Sequence, residues 1–263
     1  MLQKTTILPV VPKEQSGTGI AATTVERFDE KGRLIWWKDE LGIIGYSQYD
    51  SNGQQVKTIQ DVDTTKTADF SVDVPQGWAT ALDAGKHLVT EYEYDVRGRM
   101  TQVLYPENES VDENNNAIMA RKANWTVYDG VRRRIMSASG YVTADGKVVL
   151  VNPVSVTIHG IGGRVLEEIT AARDSAVGRL TVTDAFPQSS YVSWTRHCYE
   201  GRNRIATRVY TTIPARGDGV QSKNYEETAF LRDEFGRKNI TVAPNGLMTK
   251  QKLNWHTVSI AQS

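Results

Sequence analysis

Cysteine is almost absent: Cys198 is alone in 263 residues, so neither an internal disulfide framework nor a cysteine-based zinc cluster can be built. Excess charge is missing too, since 31 Lys and Arg balance 31 Asp and Glu. Nothing in that balance draws nucleic acid or an anionic membrane surface. No apolar run is long enough to span a bilayer as a helix, which leaves no expectation of membrane insertion. Residues 1–24 hold one short apolar patch, Ile7 to Val11, broken by Pro9, and give no signal-peptide core. Four histidines, His87, His159, His197 and His256, show no metal-ligand spacing, and no cofactor is implied. Apolar residues make up 39%, enough for a thin core under much solvated surface.

Aromatic residues and a recurring turn are what the chain does have. Six Trp and eleven Tyr suit β-strands. The stretch EYEYDVRGRMTQVLYPE, Glu91–Glu107, places Tyr-Asp-x-x-Gly-Arg between two alternating segments. Six related segments share its spacing. The seven are FDEKGR (Phe28, Asp29, Gly32, Arg33), YDSNGQ (Tyr49, Asp50, Gly53), YDVRGR (Tyr94, Asp95, Gly98, Arg99), YDGVRR (Tyr128, Asp129, Arg133), HGIGGR (His159, Gly163, Arg164), YEGRNR (Tyr199, Asn203, Arg204) and RDEFGR (Arg232, Asp233, Gly236, Arg237). Position zero is aromatic in five, position one Asp in five, position four Gly in five and position five Arg in six. Glycine is only about 7% of ordinary sequence, so agreement across four columns is not coincidence.

Those columns describe a hairpin loop. The Asp carboxylate accepts from amides two residues on, two variable residues take right-handed conformations, and Gly supplies the positive φ that follows. A type I turn with a G1 bulge is the expected result. Asn203 tolerates positive φ as Gly does, whereas Arg132 tolerates it poorly, so the YDGVRR copy is expected to be distorted. Arg at position five lies near enough to stack on an aromatic ring. A second turn is expected ten residues after the Gly column, at Glu40-x-Gly42, Pro106-x-Asn108 and Pro244-x-Gly246. Alternation such as TEYEY and RMTQVLY marks half-buried strands. One helical turn is expected near Trp78–Leu82. Insertions are expected at Asp61–Lys86, Asn108–Lys122, Thr170–Ser190 and Thr211–Asn224.

These motifs resemble the YD-repeat or Rhs-repeat family: bacterial Rhs and polymorphic toxins, the B and C components of toxin complexes, and teneurins. The resemblance runs from Val25 to Gly246 and is carried best by YDVRGRMTQVLYPE and RDEFGRKNITVAPNG. It implies an all-β fold of tandem antiparallel hairpins in a curved or spiralling sheet, part of an Rhs-type shell. The expected organisation is an extended segment over 1–24, the hairpin array over 25–246, and a terminal strand or truncated repeat over 247–263. Nothing resembles the self-cleaving core region of bacterial Rhs shells, so a piece of a larger protein or a small divergent relative is expected. The implied role is a non-catalytic scaffold, extracellular or at a cell surface, that encloses or presents a cargo polypeptide or packs on neighbouring repeats.

Other features have a structural and a functional reading. Cys198 adjoins His197, but neighbours in a strand point to opposite faces and should not form a nucleophile pair. The acidic loop 106–118 could offer oxygen ligands to calcium, yet it lacks the EF-hand order and its central Gly. Arg216-Gly217-Asp218 is the tripeptide that integrins read, in a loop expected from Pro214 and two glycines. Asn108, Asn124 and Asn239 head glycosylation sequons. Arg132, Arg133 and Arg134 are balanced by the Asp column and do not make a nucleic-acid face. The alternative to a scaffold is an adhesion or carbohydrate-binding module, meeting a receptor or glycan through exposed aromatics such as Trp36, Trp37 and Trp78. Aromatics buried between strands favour the scaffold instead.

Overall fold

The computed structural model describes residues 2–15, 19–81, 84–112, 115–253 and 258–260. The fold is all-β and built of antiparallel strands paired in chain order. It packs as two compact units, Met1–Asn124 with Tyr141–Gly146, and Trp125–Gly140 with Lys147–Ser263. His256 lies outside the described residues. Among them no helix is long and apolar enough to cross a membrane.

The first unit contains β1 (Leu2–Ile7), β2 (Thr23–Phe28), β3 (Leu34–Lys38), β4 (Ile44–Tyr49), β5 (Gln55–Gln60), β6 (Leu88–Tyr94), β7 (Met100–Val111) and the start of β8 (Ala117–Asp129). β1 pairs with β2, and β2 through β7 each pair with the next. Cross-strand partners put Trp36, Tyr46 and Ile59 on one face. There they form a core with Ile35, Ile44 and Val62. The insertion after β5 covers this core with Phe70, Val72, Val74 and Trp78. Phe70 meets Trp36 and Tyr46 edge-on, at 5.0 and 5.2 Å between ring centroids, a favoured aromatic geometry. The helical turn expected near Trp78–Leu82 is not found over its described part, Trp78–Ala81. Gly77, at φ +77°, starts a bend there, and the short helical turn sits at Thr67–Asp69.

His87 closes the insertion. Its ring is buried, Nδ1 accepts from the Asp63 amide (3.1 Å), and Nε2 meets the Asp69 carboxylate (3.1 Å). That pattern fixes the neutral tautomer with its proton on Nε2. Burial lowers the pKa from the usual 6.5, the bond to Asp69 opposes this, and Lys66 lowers it further. The folded form therefore binds its proton less readily than the unfolded chain. This contribution to stability is complete above about pH 6.5 and is lost as pH falls through the window below it. The unfolding free energy should rise with pH from about 5 to 6.5, with a weaker slope in His87→Gln. Equal slopes in a denaturant series across that range contradict the assignment.

The second unit takes the end of β8, β9 (Arg134–Thr143) up to Gly140, β10 (Val148–His159), β11 (Val165–Ala171), β12 (Tyr191–Glu200), β13 (Asn203–Tyr210), β14 (Tyr225–Arg232), β15 (Lys238–Val242), β16 (Met248–Leu253) and β17 (Val258–Ile260). From β10 to β17 each strand pairs antiparallel with the next. Trp194 and Tyr210 stack at 3.9 Å with ring planes 14° apart, and Tyr225 adjoins Tyr210 at 5.3 Å. Inside the insertion after β11, Arg173 holds the Asp184 carboxylate (2.8 Å) and the Gly178 carbonyl (2.9 Å). The buried Asn224 amide accepts from the Val220 amide (2.9 Å) and donates to the Thr212 carbonyl (3.2 Å), securing the loop after β13.

Candidate functional site

The repeated turns are the most regular chemistry in the molecule. In the first, the Asp29 amide donates to the Arg33 carbonyl (2.9 Å) and the Gly32 amide to the Asp29 carbonyl (3.1 Å). Asp29 Oδ1 accepts from the amides of Lys31 and Arg33, and Oδ2 accepts from Arg33 Nε (2.6 Å). Gly32 has φ +78°, and the strand register slips between Arg27 and Phe28. This is a type I turn closed by a G1 bulge. Asp95 with Gly98 and Arg99, and Asp233 with Gly236 and Arg237, repeat each of these bonds. Asp50 with Gly53 and Gln54 keeps the loop but lacks the guanidinium.

The three carboxylates bonded to a position-five arginine, Asp29, Asp95 and Asp233, are held ionised by this geometry. The Asp29 pKa is lowered chiefly by the Arg33 amide, and the Asp95 pKa chiefly by the Arg99 side chain. At Asp233 desolvation is the largest influence and opposes the shift, but the bonds from Arg237 outweigh it and the pKa is lowered.

Two copies depart from the expected frame, and a third keeps it without the Asp. In YDGVRR the positive φ falls on Arg133 (+49°), not Arg132. The guanidinium of Arg133 is not the one on Asp129; Arg132 and Arg134 each approach Asp129 Oδ2 at 3.0 Å. One more residue thus sits in the loop, and strand β9 starts at Arg134. In YEGRNR, Asn203 lies in β13 opposite Glu200, and Gly201 (φ +55°) carries the left-handed conformation of a two-residue loop. In HGIGGR, Gly160 replaces the Asp, yet the Gly160 amide still donates to the Arg164 carbonyl (2.8 Å) and Gly163 keeps φ +79°.

The second turns also need correction. Asp39 heads the loop at Gly42, accepting from the amides of Leu41 and Ile43. Ala243 heads the one at Gly246. Pro106 and Asn108 make no turn, because β7 runs straight through them. The reversal comes at Asp112, whose carboxylate accepts from the Asn116 amide (2.8 Å), with Asn115 at φ +63°. The stretch 106–118 is therefore strand, turn and strand; residues 113–114 lie outside the described set.

Three pairs of successive turns are stitched to one another. Tyr49 donates its hydroxyl to the Leu34 carbonyl (3.1 Å), Tyr94 to Gln55 (2.9 Å) and Tyr199 to Val165 (3.0 Å). Each acceptor directly follows position five of the preceding turn. In return, position five reaches forward: Arg33 to the Asp50 carbonyl (3.4 Å), Gln54 to Gly98 (2.9 Å) and Arg164 to Gly201. Arg33 lies 4.7 Å from the Tyr49 ring and Arg164 5.4 Å from that of Tyr199. The arginine thus stacks on the next repeat's aromatic, an arrangement that spacing within one motif does not disclose.

No family model matches this sequence. No curated protein matches it either. Among the solved structures similar to this chain are three of which it spans about a fifth. One is a complex titled TcdB2-TccC3-Cdc42, with 10% identity over 98% of this chain and 20% of that one, at a TM-score of 0.19. Another is TcdB2-TccC3 without its hypervariable C-terminal region, 11% identical over 100% and 20%, also at 0.19. The third is the Tc holotoxin pore of Photorhabdus luminescens, 12% identical over 89% and 18%, at 0.17. Superpositions at these scores carry no weight for function.

The remaining candidates make contacts within the fold. His197 contacts Thr207 Oγ1 (3.2 Å) and Glu168 (3.1 Å), while Cys198 pairs with Ala206 across β13. Asp218 of the Arg-Gly-Asp tripeptide is engaged by Arg196 and by Arg208 (3.4 Å). Asn108, Asn124 and Asn239 all lie in strands, and Asn239 Oδ1 is buried. Among the described residues no three His, Cys, Asp or Glu side chains gather as a metal site. Trp36 is fully buried and Trp78 packs on the same core; Trp37 alone of the three faces the other side of the sheet.

Proposed function

We propose that this chain is a non-catalytic structural segment of a YD-repeat protein, walling off or presenting another polypeptide at a cell surface or outside the cell. The observation that carries the reading is the turn-to-turn stitching. Tyr hydroxyls, Arg guanidinia and Asp carboxylates at the repeat positions are consumed in bonds to backbone and to each other. Groups spent in this way serve rigidity and leave no acid–base or nucleophile pair for chemistry. The large aromatics support the same reading, since Trp36, Tyr46, Trp125, Trp194, Tyr210 and Tyr225 are buried. A repeat architecture of this type gains its stability from neighbour-to-neighbour contacts and presents extended surfaces.

Protection is the test. The chain is co-expressed with the polypeptide encoded beside it in the parent gene, and both are exposed to trypsin. Cleavage of that polypeptide should slow by about tenfold or more when the chain is present. Equal cleavage rates with and without the chain count against the proposal.

A further inference from the structure

The first unit has a second surface beside the turn ladder, which it meets at Leu34, Tyr49 and Gln55. On the face opposite its core, cross-strand partners bring together Glu26 with Trp37, Trp37 with Gly45, and Ser47 with Thr58. A groove of about 480 Å³ opens there, its lining including Glu26, Trp37, Ser47, Tyr49, Gln55 and Thr58. Gly45 decides its shape. A Cβ at that position would lie 2.0 Å from two carbons of the Trp37 indole. The ring therefore lies flat across β4, held as a platform that only glycine permits.

The polar groups beside the ring are aimed as well. Gln55 Nε2 donates to Ser47 Oγ (2.8 Å) and to Thr58 Oγ1 (2.7 Å), which uses both amide hydrogens and leaves the carbonyl oxygen as an acceptor. Glu26 gives one oxygen to Lys4 (2.8 Å) and keeps the other. The Trp37 indole N–H has no hydrogen-bond partner among the described residues. The groove thus combines a half-buried aromatic face, planar acceptors with fixed orientation and one ring donor. It has no cluster of cations for a phosphate or sulfate.

We propose that this groove binds a neutral oligosaccharide. A sugar offers an apolar C–H face that stacks on an indole, and equatorial hydroxyls that donate to planar carboxylate and amide oxygens. The site does not depend on the scaffold role: a chain that shields no cargo keeps the groove, and a chain that binds no sugar keeps the ladder.

The experiment is isothermal titration of the intact chain with cellotetraose, chitotetraose, maltotetraose and xylotetraose. At least one should bind with a dissociation constant near about 1 mM or below, as suits a single platform. Trp37→Ala should weaken that binding by about tenfold or more, Trp37→Phe by less, and Trp78→Phe, on the other face, should leave it unchanged. Circular dichroism and the unfolding midpoint check that each variant folds. If Trp37→Ala does not fold, Trp37→Phe and Gln55→Leu answer the question, each with a measurable loss. Binding by none of the four tetraoses overturns the proposal, and so does undiminished binding by folded variants of the groove.

Discussion

Asp129→Ala is expected to destabilise the second unit by about 2–3 kcal/mol. Asp129 is only 5% exposed and accepts from the Arg132 amide (3.0 Å) and from the guanidinia of Arg132 and Arg134. Removing the carboxylate leaves the Arg134 guanidinium, whose side chain is 10% exposed, with only the carbonyls of Val182 and Asp184 (2.8 Å each) as acceptors and no counter-charge on it. Charge-assisted bonds of this kind contribute more than neutral ones, and a buried cation without its counter-ion adds to the cost. The partly solvated Arg132, at 60% exposure, keeps the figure below that of a fully buried triad. The same geometry sets the acid response. The Arg132 amide, with the side chains of Arg132 and Arg134, lowers the Asp129 pKa to about 2. Its folded pKa lies below the unfolded one, so the stabilisation is complete above about pH 4 and disappears as pH falls through 2. Denaturant unfolding of Asp129→Asn should show a shallower loss between pH 4 and 2. A slope equal to wild type contradicts the role given to this carboxylate.

Trp36→Ala should have a larger effect, about 3–5 kcal/mol. Trp36 is fully buried; its ring lies 4.5 Å from Tyr46 and 5.0 Å from Phe70. Phe70 belongs to the insertion after β5, so the indole joins the sheet to its cover. Truncation leaves a cavity whose walls are aromatic rings with little freedom to collapse. Urea titration followed by far-UV circular dichroism measures it. A loss under about 1 kcal/mol means that the insertion is not packed on this core.

The loops were legible where one residue does one job. Asp29, Asp50, Asp95 and Asp233, with Gly32, Gly53, Gly98 and Gly236, stand at the offsets a G1-bulge hairpin requires, and backbone chemistry alone dictates them. The aromatic requirement misled. Dropping it, Asp39-x-x-Gly42 and Asp112-x-x-Asn115 have the same spacing as Asp29-x-x-Gly32, and both close the same loop. Gly130 and the run of three arginines hid the extra residue in the Asp129 turn, since several frames satisfy the same columns. Gly201 competed with Asn203 for the left-handed position and took it, as glycine has no Cβ to strain. The contacts between turns could not be read from one motif. They depend on which carbonyl the pleat brings under the next tyrosine, which is a matter of register. Nor did alternation show that the stretch from Asp61 to Lys86 packs Phe70 and Trp78 against a core, because its apolar residues follow neither a strand nor a helix period.

The central claim is that three turns are each fastened to the next through the position-five side chain and the following tyrosine. A double-mutant cycle on Arg33→Ala and Tyr49→Ala, by equilibrium unfolding, addresses it directly. The two residues stand 4.7 Å apart, guanidinium to ring. Their coupling should be about 1 kcal/mol, as cation–π pairs at partly exposed sites give. Strictly additive losses, with coupling within about 0.3 kcal/mol of zero, would mean that the hairpins stand side by side without being joined.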